Sequence, residues 1–435
     1  MSDPSQPAIR TVYSPPIEVL KKRWPDSQPV SPEVETYVKS IVQEVRNRGD
    51  HALIELTRKF DGIDLASKGL QVSRSEIDRA YEQAEEEQVS AIRLMKSKLE
   101  RFQTRILGQI NFDLDLDGVK IQSRIKPLRS VGCYVPGGRA SYPSTLVMTV
   151  TPARVANVPR IAVCSPAAKN GEVNPLILVA ADLCGVSEVY KIGGAQAIAA
   201  LAYGTASIKP VDKIVGPGNA YVTAAKMVVS RDVSIDLPAG PSEILVLADE
   251  SSDPRLVALD MISQAEHGGD SVAVLVTTSR ELAGKVAQEI SAALPKIERH
   301  GFVAKALFDC GLIFVCRDWK EGIDFVNEFA PEHVEVITKN AETIAQEITS
   351  AGIILIGPNT PVSASDYCLG TNHVLPTGGF AKRFSGLSAL DYVRRYDVVR
   401  CSADQLQRIT ECIRTLAEAE GLPNHGLAVE ERLRK

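Results

Sequence analysis

Nowhere in its 435 residues does the chain stay apolar for the roughly 20 positions that a membrane-crossing helix needs, so no transmembrane segment is expected. The opening residues, MSDPSQPAIR, lack the basic-then-apolar order of a secretory signal, which makes the cytoplasm the expected compartment. Aromatic residues are scarce, at 5%, and the formal net charge of −5 comes with no basic stripe interleaved with aromatics; a nucleic-acid partner is not expected. None of the eight cysteines forms a C-x-x-C pair. Several sit in apolar runs such as IAVCSP and LIFVCRD, where a reduced thiol behaves as a small hydrophobe, so neither a disulfide framework nor a cysteine-type zinc site is expected. Also missing are the G-x-G-x-x-G dinucleotide fingerprint and a Walker A loop.

What the chain does carry, 44% apolar and 24% charged residues over more than one core's length, describes a globular protein of two or more domains. Pro4, Pro7, Pro15, Pro16, Pro25 and Pro29 suit an extended arm rather than packed structure. Regular structure begins at Ser31-Pro32, an N-cap followed by proline at the first helical position, with Val34, Tyr37, Val38, Ile41, Val42 and Val45 at helical spacing and Gly49 as the stop. A second helix through Leu53, Leu56 and Phe60 ends at Asp61-Gly62, and one long charged helix is expected from about Ser73 to Arg105. From Val119 onward short β-branched runs alternate with helices. Val119–Ile125, Val131–Val135, Ile161–Cys164, Val189–Ile192 and Lys213–Val215 form one set, and Ile244–Ala248, Val272–Thr277, Leu312–Val315, Val334–Thr338 and Ile353–Ile356 a second. That alternation predicts an α/β fold with two mainly parallel sheets covered on both faces, behind a helical N-terminal segment. A short strand pair and a helix over Ala403–Glu420 come next, followed by the tail GLPNHGLAVEERLRK.

Of six histidines, His267, His333, His373 and His425 lie in glycine- or carboxylate-flanked surroundings. In SQAEHGGD, Gln264 and His267 are three apart near the end of a helix begun by Asp253-Pro254, with Gly268 and Gly269 as its stop. Shared on one helical face, they could grip a cation; the plain alternative is a solvated helix end whose imidazole complements the macrodipole. Glu332-His333, just ahead of a strand, make an acid/base pair or merely an exposed polar dipeptide. The loop SDYCLGTNH supplies Asp366 and His373, and His425 stands in a Pro- and Gly-flanked turn five residues after Glu420. Gln264, His267, Asp366 and His425 would form a mixed N/O set for Zn²⁺ or a similar ion, which spacing alone leaves open. Glycine-rich turns follow several strands: Tyr134 to Gly138, Gly193 to Gln196, Gly216 to Asn219 and Ala239 to Ser242. Three of them fall along one sheet edge, where backbone N–H groups face a ligand, so they mark either a binding cleft or ordinary tight turns.

Longer runs carry a resemblance. YVPGG, GGAQAIAALAYGT, KIVGPGNAYV, AGPSEILVLAD, SQAEHG, PEHVE, SDYCLGTNHVLPT and EAEGLPNH stand in the order of the histidinol dehydrogenase family, which the chain resembles from about Val19 to Leu433. The resemblance implies two incomplete Rossmann-like units and a small C-terminal tail crossing to the second chain of a homodimer. It divides the chain into an N-terminal arm (1–27), a first α/β domain with most of the zinc site (28–133 and 238–387), a nested NAD-binding α/β domain (134–237) and a dimer-crossing segment (388–435). The activity it implies is zinc-dependent oxidation of L-histidinol through L-histidinal to L-histidine with two NAD, the last steps of histidine biosynthesis, with one Zn²⁺ per subunit. Gln264, His267, Asp366 and His425 fall at its metal-ligand positions, and Glu332 and His333 at its general-base pair. His333 would take the alcohol proton, and Glu332 would activate water to hydrate the aldehyde. Substrate contacts would be Ser242, Gln264, His267, His333, Asp366, His373, Glu420 and His425, with Glu420 and His425 lent by the partner chain; NAD contacts would be Tyr134, Gln196 and Asn219.

Cys368 and Leu369 depart from the Ala and Ser frequent there, and PTGGFAKRFSGLS is richer in glycine than usual. Related enzymes oxidise other small polar alcohols, such as a sulfopropanediol, on the same framework. Glu420 and His373, suited to a cationic amine and an imidazole, favour histidinol. A non-catalytic α/β ligand-binding protein is the third reading, and intact Glu332, His333 and the four metal-ligand residues speak against it.

Overall fold

Runs such as Glu243–Ala248 and Val272–Thr277 are buried at every position, as a strand is when helices cover both faces of its sheet. The computed structural model describes residues 9–15, 30–137, 141–237 and 240–434. In chain order its strands are β1 (Arg10–Tyr13), β2 (Phe112–Leu116), β3 (Val119–Pro127), β4 (Ser130–Tyr134), β5 (Arg160–Cys164), β6 (Glu188–Tyr190), β7 (Lys213–Val215), β8 (Ser234–Ile235), β9 (Glu243–Ala248), β10 (Val272–Thr277), β11 (Leu312–Val315), β12 (His333–Ile337), β13 (Ile353–Ile356) and β14 (Val393–Cys401). They form a six-stranded parallel sheet, β1-β11-β10-β9-β12-β13, a five-stranded parallel sheet, β6-β5-β4-β7-β8, and a three-stranded antiparallel sheet, β14-β3-β2. Apart from β1, each parallel sheet has its first strand central, the next two on one side and the following two on the other. The order therefore reverses between β9 and β12 and between β4 and β7, a Rossmann-like switch point in each sheet. Among the described residues no helix is long and apolar enough to cross a membrane.

Helix Pro143–Val155 is buried continuously from Ser144 to Ala153, so it needs a second layer outside it. Helices Arg74–Gln83 and Glu86–Leu107 provide that layer, sharing a core with it through Ile92, Met95, Leu99 and Leu146. Helices Pro32–Arg48 and Asp50–Asp61 do the same on the opposite face, against Gly194–Tyr203 and Ala220–Val229. These helices thus share their apolar cores with the five-stranded unit, whose first strand, β4, starts at Ser130.

Other expectations need local correction. The helix expected over about 73–105 is two, broken at Ala84 and Glu85, where the Glu85 N–H donates to the Gln88 side chain at 3.0 Å and caps the second helix. Arg10–Tyr13 is an edge strand parallel to β11 rather than a free arm, anchored by buried Ile9. Residues 1–8 and 16–27 of the expected arm, Gly138 and Ala239 lie outside the described residues. Helix Pro254–Ala265 stops with Glu266 as its C-cap, ahead of the two glycines, so His267 occupies the following turn instead of sharing a helical face with Gln264. β2 and helix His300–Asp309 add to the expected set, β2 although Asp117-Gly118 between alternating runs is a hairpin signal. The expected terminal strand pair is one nine-residue strand, β14, pairing with β3, and His425 lies on helix Pro423–Leu433 rather than in a turn.

Pro152 stands inside helix Pro143–Val155 and has no N–H to offer the Met148 carbonyl four residues back. Buried Asn372 supplies the donor from across the fold, its Nδ2 reaching Met148 O at 2.7 Å. The Tyr392 hydroxyl donates to the next carbonyl, Thr149 O, at 2.7 Å. Asn372→Ala, which strands the Met148 carbonyl, is expected to cost about 1–3 kcal/mol in urea unfolding. In a Pro152→Ala background the restored N–H takes that carbonyl and the cost should shrink; an equal cost in both backgrounds would refute the pairing.

Candidate active site

His333 opens β12 and Glu332 precedes it, at the amino edge of the six-stranded sheet. β9 lies alongside in the register His333 to Ile244, so Glu243, its first residue, meets Glu332. Each glutamate takes the other's backbone: the Glu243 N–H donates to Glu332 Oε2 at 2.9 Å, and the Glu332 N–H to Glu243 Oε2 at 3.3 Å. Glu243 Oε1 accepts from the Gly378 N–H at 2.9 Å. His333, only 3% exposed, donates through Nδ1 to the Glu243 carbonyl at 3.0 Å, with Glu332 Oε2 at 3.5 Å from the same nitrogen. That tautomer makes Nε2 the basic atom. Nε2 has no hydrogen-bond partner and faces Asp366 Oδ1 at 3.7 Å.

Burial opposes a charge on His333, but the Glu332 and Asp366 carboxylates outweigh it and hold the imidazole at about 9. Burial, reinforced by the charge of Glu332, pushes Glu243 up to about 8. Further along β12, burial raises both members of a hydrogen-bonded carboxyl pair, Glu335 and Asp260. Glu335 Oε1 also accepts the Val362 N–H at 2.5 Å, tying β12 to helix Val362–Tyr367, which carries Asp366.

Helix Val362–Tyr367 packs against helix Pro254–Ala265, which carries Gln264 next to its end. Gln264 is 1% exposed and neither of its amide atoms has a partner, an orphaned polar group of the kind that costs about 1–3 kcal/mol unless something binds it. His267 is exposed in the next turn, its Nδ1 at 3.2 Å from the Gln264 carbonyl. His373 donates through Nδ1 to the Asp366 carbonyl at 2.8 Å, and its Nε2 lies 3.5 Å from Thr145 Oγ1, in the first turn of helix Pro143–Val155. Burial lowers the pKa of His373. An orphaned amide, an imidazole and a carboxylate fit a borderline divalent cation such as Zn²⁺ in donor chemistry. Among the described residues no group of three or more His, Cys, Asp or Glu could hold a metal by itself.

The second candidate surface is the carboxyl edge of the five-stranded sheet. Tyr134 ends β4, and its hydroxyl accepts from the N–H of Gly194, which opens the helix carrying buried Gln196, at 3.1 Å. Asn219 caps helix Ala220–Val229, its Oδ1 accepting from the Tyr221 and Val222 N–H groups at 3.0 and 3.2 Å. Gly216, just past β7, has φ +116°, and a Cβ there would stand 2.1 Å from Tyr134 O, so only glycine permits this closure. Two helix N-termini beside a close-approach glycine suit the phosphates of a dinucleotide.

The histidinol dehydrogenase family model matches residues 25–433. The chain belongs to the histidinol dehydrogenase family. It is 45% identical over 397 residues to the histidinol dehydrogenase of Methanothermobacter thermautotrophicus, covering 91% of this chain and 93% of that one. Against the histidinol dehydrogenase of Brucella melitensis the identity is 43%, over 93% and 94% of the two chains. A crystal structure of histidinol dehydrogenase from Elizabethkingia anophelis matches with a TM-score of 0.93 at 36% identity, over 99% of both chains.

Of the residues singled out by resemblance to histidinol dehydrogenases, direct contacts in one chain join Glu332, His333, Asp366 and His373, with Gln264 and His267 at the end of the adjoining helix. Ser242 is half-buried just before β9, its carbonyl accepting the Val272 N–H at 2.9 Å. Tyr134, Gln196 and Asn219 share the other edge. Glu420, the C-cap of helix Ala403–Ala419, and His425, on helix Pro423–Leu433, are exposed; the two helices pack on each other, and among the described residues neither side chain makes a hydrogen bond or ion pair with the His333 cluster. Sequence reasoning passes over Glu243, Glu335 and Asn372. The signal for Glu243 was there: a carboxylate opening the otherwise apolar run EILVLA has to be bound by something.

A carboxyl whose folded pKa is raised contributes stability that is complete below its unfolded value and is lost as pH climbs to the folded value. For Glu243 that window runs from 4.5 to about 8. In metal-free protein the Tm of the wild type minus that of Glu243→Gln is therefore expected to fall across the window and level off above it; a flat difference would mean that Glu243 is ionised throughout.

Proposed function

We propose that this family member oxidises L-histidinol through L-histidinal to L-histidine with two NAD, at the end of histidine biosynthesis, as a zinc-dependent homodimer. The observation that carries this reading is the buried, unpartnered Nε2 of His333 facing Asp366, whose helix packs against the one that carries the orphaned Gln264 amide. Hydride leaves a carbinol carbon readily only as the hydroxyl proton leaves, and Nε2 of the neutral imidazole, the form that gains population as pH approaches about 9, is the atom placed to take that proton. Its neighbours keep the proton once taken: Glu332 stands against Nδ1 and Asp366 against Nε2, so both carboxylates favour the imidazolium. Glu332, adjacent in sequence and still 7% exposed, is the group assigned to water activation for hydrating the aldehyde before the second oxidation.

Gln264, His267 and Asp366, with His425 of the partner subunit, would hold the zinc. When bound, the metal supplies a Lewis-acid anchor for the amino and imidazole nitrogens of the substrate, orienting it rather than generating hydroxide. Ser242 and His373, with Glu420 of the partner subunit, would complete the substrate pocket. Tyr134, Gln196 and Asn219 would bind NAD, whose nicotinamide accepts hydride. Exposed apolar side chains on the antiparallel sheet and the helix after it support a second copy: Phe112, Leu114, Leu116, Val399 and Leu416 are 45–59% exposed in one chain.

The direct test is NADH formation with histidinol, before and after chelation and with zinc restored. Two NADH per histidinol, lost on chelation and recovered with zinc, are expected; turnover of a small diol but not of histidinol would transfer the activity to another alcohol. His333→Gln should lower kcat by about 10²- to 10⁴-fold. Glu332→Gln should slow oxidation of added histidinal more than that of histidinol, and equal losses would remove the assigned division of labour. Co-expressed Asp366→Ala and His425→Ala chains, each inactive alone, should recover about a quarter of wild-type activity, because a mixed dimer rebuilds one intact site. Recovery of nothing would place His425 in its own subunit's site.

A further inference from the structure

The nucleotide edge is held from beneath by a buried charge pair. Lys226 in helix Ala220–Val229 and Asp236 just after β8 form an ion pair with side chains 3% and 1% exposed. Lys226 Nζ also donates to the Gly216 carbonyl at 3.0 Å and to the Leu237 carbonyl at 3.2 Å. From the other side, Asp236 Oδ2 accepts the Gly216 N–H at 2.7 Å. Gly216, the residue whose backbone presses on Tyr134, is thus gripped at both its carbonyl and its N–H. The nearby ammonium of Lys213 is engaged elsewhere, by the carbonyl and carboxylate of Asp391.

A pair removed this far from water is poor glue, since well-packed apolar side chains of similar volume often stabilise as much or more. Its geometric effect is definite: the two charges fix the backbone of Gly216, the first residue of the turn that ends in the cap Asn219. We propose that Lys226 and Asp236 are positioning residues for the dinucleotide, holding the Gly216 to Asn219 turn in the shape that receives it. This inference rests on the NAD reading above. The substrate side has separate support, because Ser242 is held by β10 through the Val272 N–H.

The experiment compares the zinc-loaded wild type with Lys226→Met, Asp236→Asn and the double variant Lys226→Met/Asp236→Leu, measuring NADH affinity by fluorescence, histidinol affinity by calorimetry and Tm. Each variant is expected to bind NADH at least about tenfold more weakly with little change in histidinol affinity, and the double variant to regain Tm over Lys226→Met without regaining NADH affinity. Wild-type NADH affinity in the folded double variant would overturn the proposal and leave the pair a structural filler. If the double variant does not fold, Asp236→Asn decides: it keeps an oxygen for the Gly216 N–H while removing the charge, and unchanged NADH affinity overturns the proposal. Equal weakening of NADH and histidinol would also overturn it, as general loosening. A wild type that does not bind NADH would instead sink the NAD reading itself.

Discussion

The parallel pairing of β9 with β12 sets the electrostatics on which the site depends. It places two glutamates side by side at the amino edge of a sheet, each accepting the other's N–H, with His333 bound to the Glu243 carbonyl between them. Two buried carboxylates so close cannot both ionise without a counter-charge. Glu243 therefore keeps its proton to about 8, while Glu332 pairs with an imidazole held at about 9. What sets Glu243 apart from its neighbour is burial and position, since both residues are glutamates.

The two parallel sheets share a strand order yet present opposite edges. The five-stranded sheet offers its carboxyl edge, where helix N-termini and Gly216 gather, while the six-stranded sheet offers its amino edge, where His333 sits. The edges meet through helix Pro143–Val155. Thr145 in its first turn reaches His373, and the Met148 and Thr149 carbonyls accept from Asn372 and Tyr392. Pro152 contributes to this junction, because it has no N–H to offer the Met148 carbonyl and leaves that acceptor to Asn372.

Polar groups without partners are as informative as those with them. The Gln264 amide and His333 Nε2 are both buried and unpaired; Nε2 faces Asp366, and the helix that carries Asp366 packs against the one that carries Gln264. A folded chain retains such groups at an energetic cost, which binding of a ligand or metal removes.

How much of this was legible beforehand depends on whether the information was local. Strand positions such as Lys213–Val215, Val272–Thr277 and Leu312–Val315, and the caps at Ser31 and Asp253, were readable from the letters, because β-branched runs and N-cap chemistry act over a few residues. The break at Ala84 was not, since a helical period continues across it. Of the site, Gln264, His267, Glu332, His333, Asp366 and His373 stood out by residue type and motif, whereas Glu243 was masked by the apolar run it opens. The sequence by itself determined the alternation of strands and helices and the supply of nitrogen and oxygen donors. Only the tertiary structure decided which donors meet: Glu332 reaches Glu243 across 89 residues and Asn372 reaches Met148 across 224. Contacts at such separations arise from sheet order and helix packing, for which no short stretch of chain holds the instruction.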